Sequence, residues 1–373
     1  MSAPLGIAVL GTAIMGRAHS SAWRNVGAVF PDTPATAMRV LCGSDPGRTE
    51  AAARSLGWQE AATDWREVIA RDDVHVVDIC TPGHLHAEMA TAALEAGKHV
   101  LVEKPLATSL AEAERMTAAA ERAPGASMLG FNYRRVPALA LARQLVQEGR
   151  IGEVRTVRAA YLQDWLVDPA APMTWRLRAE TAGNGALGDL GSHVVDQILA
   201  ITGRQPTGAR GTLRTFQQQR QGPDGPERVT VDDAAWAQLD LDGGAVASME
   251  LSRVATGSKN ALTIEVHGTD GALSFDLERL NELVVTDGRD GWPSRVLVTE
   301  PTHPYLEAWW PPGHVLGWDS TFTMQAADLL RAIAAGHAPA PSFADGLAVQ
   351  RVLDAVERSA AADGARMPLG ETR

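Results

Sequence analysis

The first 130 residues alternate between short, wholly apolar runs and longer amphipathic stretches, and this alternation constrains the fold more than any other feature. Ile7-Ala8-Val9-Leu10 reads as a strand, followed by a glycine-containing turn and a helical segment reaching about Gly27. Further strands are expected at 39–42, 74–80 and 99–102, with helices over 48–56, 85–96 and 110–122. Gly57 ends one of these helices, and Gly97 stands where a left-handed cap is expected. Strands alternating with helices of this length are the pattern of a parallel, doubly wound α/β sheet.

Beyond about Gly152 the texture changes. Strand-like segments follow at 154–161, 229–241, 245–251, 262–266, 273–275 and 283–286, some joined by turns such as Asp242-Gly243-Gly244 and Asp270-Gly271. The clearest helix of this half spans 190–201, the polar stretch 217–227 reads as an exposed loop, and helices over 321–335 and 344–361 close the chain. The expected organisation is an α/β domain at 1–135 and an α+β domain at 136–373 with a large, mostly antiparallel open sheet. The helix 344–361 is expected to pack back on the first domain.

Composition removes several function classes. A net charge of -11 and a pI near 5.4 supply no basic surface for nucleic-acid phosphates, so no nucleic-acid partner is expected. No uncharged apolar stretch approaches the roughly 20 residues that a membrane span needs. The N-terminal apolar run lacks a basic flank and reads as a strand rather than a signal segment. Cys42 and Cys80 both lie in apolar runs, which fits neither a disulfide framework nor a metal cluster and suits the cytoplasm. Only three lysines occur, Lys98, Lys104 and Lys259, amid many arginines. An amine can give up its proton where a guanidinium cannot, so each lysine is worth placing.

Gly11-Thr12-Ala13-Ile14-Met15-Gly16 follows the first strand and opens a helix, with Ala13 in place of a second glycine. A tight turn at that place lets backbone N–H groups approach a dinucleotide pyrophosphate, helped by the positive end of the helix. An ordinary strand–turn–helix with packing glycines is the bland alternative, and the surrounding alternation favours the dinucleotide. The second strand ends Cys42-Gly43-Ser44-Asp45, with Arg48 nearby. Ser44 and Arg48 could receive a 2′-phosphate, whereas Asp45 on the ribose would favour NAD over NADP, and the sequence leaves both open.

Glu103-Lys104-Pro105 stands at the carboxyl end of the fourth strand, the edge where open α/β sheets bind ligands. Thr81, Pro82 and His86 follow the third strand at the same edge. Further on, Gly185-Ala186-Leu187-Gly188-Asp189-Leu190-Gly191-Ser192-His193 opens the clearest helix of the second half. Asp189 and His193 are four residues apart, so one helix would carry them on one face as an acid/base pair. A capping aspartate and a core histidine are the plain alternatives.

Taken in order, these motifs resemble the Gfo/Idh/MocA oxidoreductase family. The likeness runs through Gly11–Gly16, Thr81-Pro82-Gly83-His84-Leu85-His86, Glu103-Lys104-Pro105, the Gly185-to-Asp196 pattern and Pro341-Ser342-Phe343-Ala344-Asp345-Gly346. Departures are Ala13, Gly83 and Gly43, the last where NAD-using members often carry an acid. The resemblance implies a Rossmann domain followed by a substrate and oligomerisation domain, with Glu103 and Lys104 also near the cofactor. It implies that His193 takes the hydroxyl proton, that Lys104 holds that hydroxyl, and that Asp189 orients the substrate. It further implies a sugar or polyol substrate, no metal, and a homodimer or homotetramer.

A narrower likeness, to levoglucosan dehydrogenases, rests on Phe131-Asn132-Tyr133-Arg134-Arg135, Tyr161-Leu162-Gln163-Asp164-Trp165 and Trp175-Arg176. Tyr133, Arg134, Gln163, Asp164, Trp165, Trp175 and Arg176 would then join Asp189 and His193 on the sugar, since aromatic faces cover C–H surfaces and polar groups satisfy hydroxyls. Core or interface packing is the alternative for the two tryptophans. A sugar-ketone reductase or an NAD-dependent glycoside hydrolase would use the same scaffold. A non-catalytic dinucleotide-binding regulator would as well, although Lys104, Asp189 and His193 together argue against it.

Overall fold

The computed structural model describes residues 3–288 and 291–370 and divides the chain into two compact units, Met1–Arg135 with Gly317–Leu347, and Val136–Leu316 with Ala348–Arg373.

The first unit contains β1 (Leu5–Leu10), α1 (Ile14–Val29), β2 (Thr36–Cys42), α2 (Pro46–Leu56), β3 (Glu60–Ala62), α3 (Trp65–Ile69), β4 (Val76–Ile79), α4 (His86–Glu95), β5 (His99–Val102), α5 (Leu110–Arg122) and β6 (Ser127–Leu129). All strand pairs are parallel, in the order β3-β2-β1-β4-β5-β6. Strands β1, β4 and β5 are almost wholly buried, as sheets covered on both faces require. The order reverses between β1 and β4, so the residues leaving these strands flank the crevice where such sheets bind dinucleotides. Local chemistry starts and stops the helices. Asp45 caps α2 ahead of Pro46, and Gly57 closes it at φ 80°. Gly97 adopts a left-handed φ of 73°, as its position after a helix predicts.

The second unit begins with α6 (Pro137–Gln147), β7 (Val154–Leu162), α7 (Ala179–Ala182), α8 (Ala186–Asp189) and α9 (Gly191–Thr202). It continues with β8 (Pro206–Arg214), β9 (Gln219–Gly222), β10 (Gly225–Arg228), β11 (Ala234–Leu241), β12 (Val246–Ser252), β13 (Ala261–Gly268), β14 (Gly271–Asp276), β15 (Glu282–Asp287) and β16 (Ser294–Leu297). The chain then enters α10 (Ser320–Ala335) of the first unit, and α11 (Phe343–Ala361) starts in the first unit and ends in the second, before β17 (Met367–Pro368). Nine strands form one sheet, β16-β15-β14-β13-β7-β12-β11-β8-β17, antiparallel except for the parallel pair β7 and β12. Burial alternates along β7, β11 and β13, so one face is apolar and packs against α6, α8 and α9.

Several expectations need correction. The polar stretch 217–227 holds the hairpin β9–β10, because the buried Arg220 donates to the carbonyls of Leu166, Asp168 and Ala171 and anchors an otherwise polar ribbon. The strand expected over 229–241 begins only at Ala234. Val229 and Val231 instead join Leu166, Met173 and Leu177 in a small separate core. The single helix expected through Asp189 and His193 is two, α8 and α9, divided at Leu190.

The start of α11 is fixed by reciprocal capping, with Ser342 Oγ accepting from Asp345 N at 3.3 Å and Asp345 Oδ2 accepting from Ser342 N at 2.7 Å. Arg134 adds an ion pair to Asp345 at 3.1 Å. Burial alone would raise the Asp345 carboxyl, but Arg134 and the Ser342 donors outweigh it and hold it below the ordinary value. A depressed pKa means that the charge stabilises the fold fully above the unfolded value of about 3.9 and that this is lost as pH falls through the folded value. Asp345→Asn is therefore expected to cost about 1 kcal/mol in denaturant unfolding at neutral pH. The gap to the parent should begin to narrow below about pH 4 and close only as pH passes the lowered folded value.

Candidate active site

The dinucleotide edge is built by backbone that only certain residues permit. Gly11 leaves β1 at φ 121°, and a Cβ there would lie 2.6 Å from the Cys80 carbonyl oxygen. A Cβ at Gly16 would lie 1.9 Å from the carbonyl oxygen of Gly11. Ala13, in contrast, is exposed and extended at φ -78° and ψ -161°, so its methyl group fits without strain. Helix α1 then opens with no side-chain cap and no acid in its first turn, while Ile14 is exposed and Met15 half-buried. Backbone N–H donors without a side-chain acceptor suit a pyrophosphate, which the turn Gly11–Gly16 would hold.

At the end of β2, a Cβ on Gly43 would meet Thr49 Oγ1 at 2.6 Å and Thr12 Cγ2 at 2.7 Å, so any side chain there would have to displace these threonines. Ser44 and Arg48 are exposed. The Asp45 carboxylate accepts from Arg48 N at 2.8 Å and lies 3.4 Å from Arg48 Nε.

The lysine edge is held by β4 and β5. Glu103 N donates to the Ile79 carbonyl, and Gly130 N donates to that of Val102. Lys104 follows, half-buried, and its bond to Pro105 is cis. Thr81 and Pro82, leaving β4, are also half-buried. His86, expected at the cofactor, is buried with Nδ1 2.9 Å from the Pro105 carbonyl oxygen and Nε2 2.9 Å from that of Thr81. Its ring ties two loops together rather than facing outward. Burial pushes its pKa down, although both carbonyls pull the other way.

Sequence reasoning passed over a buried polar cluster behind this edge. Asp78, in the middle of β4 and fully buried, accepts from His19 Nδ1 at 2.8 Å and from Trp23 Nε1 at 2.7 Å. His19 Nε2 lies 3.0 Å from Glu103 Oε1, and Glu103 Oε2 accepts from Lys104 N at 3.1 Å. The available signal was a carboxylate inside the apolar run Val76-Val77-Asp78-Ile79, with His19 and Trp23 one helical turn apart on α1. His19, Asp78 and Cys80 lie close enough to share a metal ion. Protein donors already occupy the carboxylate, however, and burial holds the Cys80 thiol protonated.

In the second unit, one aspartate organises the acid–histidine turn. Asp232 Oδ1 accepts from Gly185 N at 2.7 Å, Oδ2 accepts from Leu187 N at 2.8 Å, and the Asp232 carbonyl accepts from Arg253 Nη2 at 2.9 Å. A Cβ on Gly185 would lie 1.8 Å from that carbonyl oxygen, so glycine is required. Asp189 ends α8 half-buried, and its charge acts on the buried Arg253, whose pKa burial lowers. His193, on the first turn of α9, is buried with its ring 6.0 Å from that of Tyr161. Leu190 divides α8 from α9 but keeps right-handed dihedrals of φ -95° and ψ -40°, so acid and histidine stand in adjacent turns.

The residues expected at the sugar divide. Gln163 and Tyr161 both donate to Asn260 Oδ1, at 2.8 and 2.7 Å, and Trp165 Nε1 donates to Gln163 Oε1 at 2.9 Å. Trp165 stays 42% exposed, with the Arg253 guanidinium 5.6 Å from its ring, so an aromatic face beside a cation remains available. Asp164 is paired with Lys259 at 2.6 Å, and Arg176 stacks on Trp175 at 4.5 Å. Tyr133 is buried in the first unit, and Arg134 is engaged by Asp345.

Known proteins share this architecture. Residues 5–131 match an oxidoreductase family with an NAD-binding Rossmann fold, and residues 139–274 match the GFO/IDH/MocA C-terminal domain. The chain is 40% identical to a levoglucosan dehydrogenase of Pseudarthrobacter phenanthrenivorans over 96% of both proteins. Among solved structures, an oxidoreductase domain protein from Kribbella flavida is 52% identical with a TM-score of 0.96, covering 99% of this chain and all of that one (100%). A levoglucosan dehydrogenase in complex with NADH and L-sorbose is 39% identical with a TM-score of 0.96, at the same coverage of 99% and 100%.

The turn geometry yields a direct test. Gly11→Ala should weaken NADH binding by about tenfold or more in a fluorescence titration, since the residue must leave its positive φ and move the backbone donors. Ala13→Gly should bind NADH within about threefold of the parent, because no strain is relieved at φ -78°.

Proposed function

The chain belongs to the Gfo/Idh/MocA oxidoreductase family, and from that premise we propose that it oxidises a ring hydroxyl of a sugar, anhydrosugar or cyclitol with NAD(P) as hydride acceptor. The observation that carries this reading is Lys104, one of three lysines in the chain, held at the carboxyl end of β5 by a carboxylate that grips its own backbone N–H. Nicotinamide, when bound, supplies the acceptor for the hydride leaving the carbinol carbon.

The protein's residues do the rest. The hydroxyl proton passes to His193 as the C–H bond breaks and a carbonyl forms. Lys104 donates to the same oxygen and stabilises the charge that develops on it, the kind of contribution that is usually largest. Asp189 orients the substrate and stabilises positive charge beside it, as its influence on Arg253 already illustrates. Gln163 and the exposed face of Trp165 suit a sugar's hydroxyl and C–H surfaces, and levoglucosan is the first compound to try, given the 40% identical relative.

NAD is the expected cofactor. A 2′-phosphate would have to draw Arg48 from Asp45 and then sit beside the uncovered carboxylate. We also expect a homodimer or homotetramer. The face of the nine-stranded sheet opposite its helices presents Arg158, Trp236 and Glu250, mixed chemistry that a second copy can cover and that sedimentation would detect. The two buried free cysteines suit a cytoplasmic enzyme, and among the described residues no helix is long and apolar enough to cross a membrane.

With levoglucosan, hexopyranoses and inositols offered separately, nicotinamide absorbance at 340 nm should rise with at least one of them, and faster with NAD than with NADP. Lys104→Met and His193→Ala should each lower kcat by about 10²–10⁴-fold while NADH still binds. Near-normal turnover in both variants would refute these roles.

A further inference from the structure

A carboxylate in the middle of a parallel sheet strand is costly unless it is fully bonded, and Asp78 has no exposure at all. Two of its partners come from one helix, His19 and Trp23 of α1 at 2.8 and 2.7 Å, and the Cys80 thiol donates to it at 3.6 Å. The other nitrogen of the same imidazole lies 3.0 Å from Glu103. A neutral imidazole has one N–H and would turn a lone pair toward the second carboxylate. Two carboxylates at hydrogen-bond distance therefore call for protons on both nitrogens, with the ring as imidazolium.

The remaining surroundings agree. Cys80 follows β4 with a thiol that burial keeps uncharged, and Phe322 of α10 contributes only a ring, 5.1 Å away. Burial opposes charge on His19, but the carboxylate of Asp78 and the sulfur of Cys80 together more than offset it, and the ring's pKa stands well above the ordinary value. The Glu103 carboxylate, gripped on one oxygen by His19 and on the other by Lys104 N, cannot rotate without losing a bond.

We propose that His19, as an imidazolium clamped between Asp78 and Glu103, is a positioning residue that sets where Lys104 leaves β5 and ties that point to the helix behind the dinucleotide turn. The proposal rests on Lys104 acting at the reacting oxygen. A flexible amine is only as well placed as its root, and a misplacement of about 1 Å costs on the order of 10²-fold in rate. One helix supplies both the last residues of the Gly11–Gly16 turn and the clamp, so cofactor and lysine share a single frame within the first unit.

Two variants separate position from charge. In Glu103→Gln the amide can turn its NH2 toward His19 Nε2 and its oxygen toward Lys104 N, so a neutral His19 with its proton on Nδ1 completes the same shape. In His19→Gln one amide nitrogen faces two carboxylates and the clamp fails. His19→Gln should lower kcat by about 10²-fold with the Kd for NADH within about threefold, whereas Glu103→Gln should stay within about tenfold of the parent kcat. In 15N-histidine NMR, the parent should show His19 with both nitrogens still protonated well above pH 6.5, and Glu103→Gln a single neutral tautomer.

A parent His19 that titrates near pH 6.5, a folded His19→Gln with kcat within threefold of the parent, or equal losses in both variants would each overturn the proposal. If His19→Gln does not fold, the NMR signature and Glu103→Gln decide alone. Unimpaired turnover in Lys104→Met would defeat the reading of Lys104 but leave the doubly protonated His19 in place, so the two failures can be told apart.

Discussion

The ion triad Asp78–His19–Glu103 joins three elements that sequence separates, β4, α1 and the end of β5. Its cost is set by the desolvation of two carboxylates, and its repayment requires all the bonds at once, because breaking a buried pair strands a charge. Helix α1 can therefore neither slide along the sheet nor roll on its axis without exposing Asp78 to apolar neighbours. That restriction reaches outward in both directions. The helix begins at the Gly11–Gly16 turn, and the triad ends at the backbone of Lys104. Hydrophobic packing alone would hold α1 to the sheet less specifically, since apolar contacts tolerate small shifts that a bonded imidazolium does not.

The glycine positions at the same edge follow one rule, which is backbone proximity rather than chain flexibility. Gly11 and Gly16 approach other carbonyls too closely for any side chain, whereas position 13 has an ordinary extended conformation and admits alanine. Gly43 is crowded by the side chains of Thr12 and Thr49, and the next acidic residue, Asp45, caps α2. A departure from the family pattern at one position is thus matched by the threonines that fill the space.

The parts of the fold legible in the sequence are those where burial leaves a simple pattern. β1, β2, β4 and β5 stand out as apolar runs, and β7 and β13 as alternations. β3 and β6 have three residues each, too few for any period to register, and α6 and β8 fell between stronger signals. The β9–β10 hairpin is polar throughout because a buried arginine, not an apolar face, secures it. Of the site, Lys104, Asp189 and His193 were legible from position and residue type. His19, Asp78, Asp232 and Arg253 were not, since each acts through partners 21 to 84 residues away that only the folded chain brings near. Arg134 and His86 drew attention as polar residues in suggestive places, and the structure commits both to internal bonds.

The turns bearing Asp189 and His193 are fastened by Asp232 and Arg253, whereas the Gln163–Trp165 segment is held by Asn260 and Lys259. The two groups still share neighbours, since the Arg253 guanidinium lies 5.6 Å from the Trp165 ring, and Tyr161, which donates to Asn260, has its ring 6.0 Å from that of His193. Residues that share a partner respond to substitution together. A change in the Gln163–Trp165 segment that redraws the range of sugars is therefore felt where the proton is handled, and a scaffold linked in this way diversifies by paired steps rather than single ones.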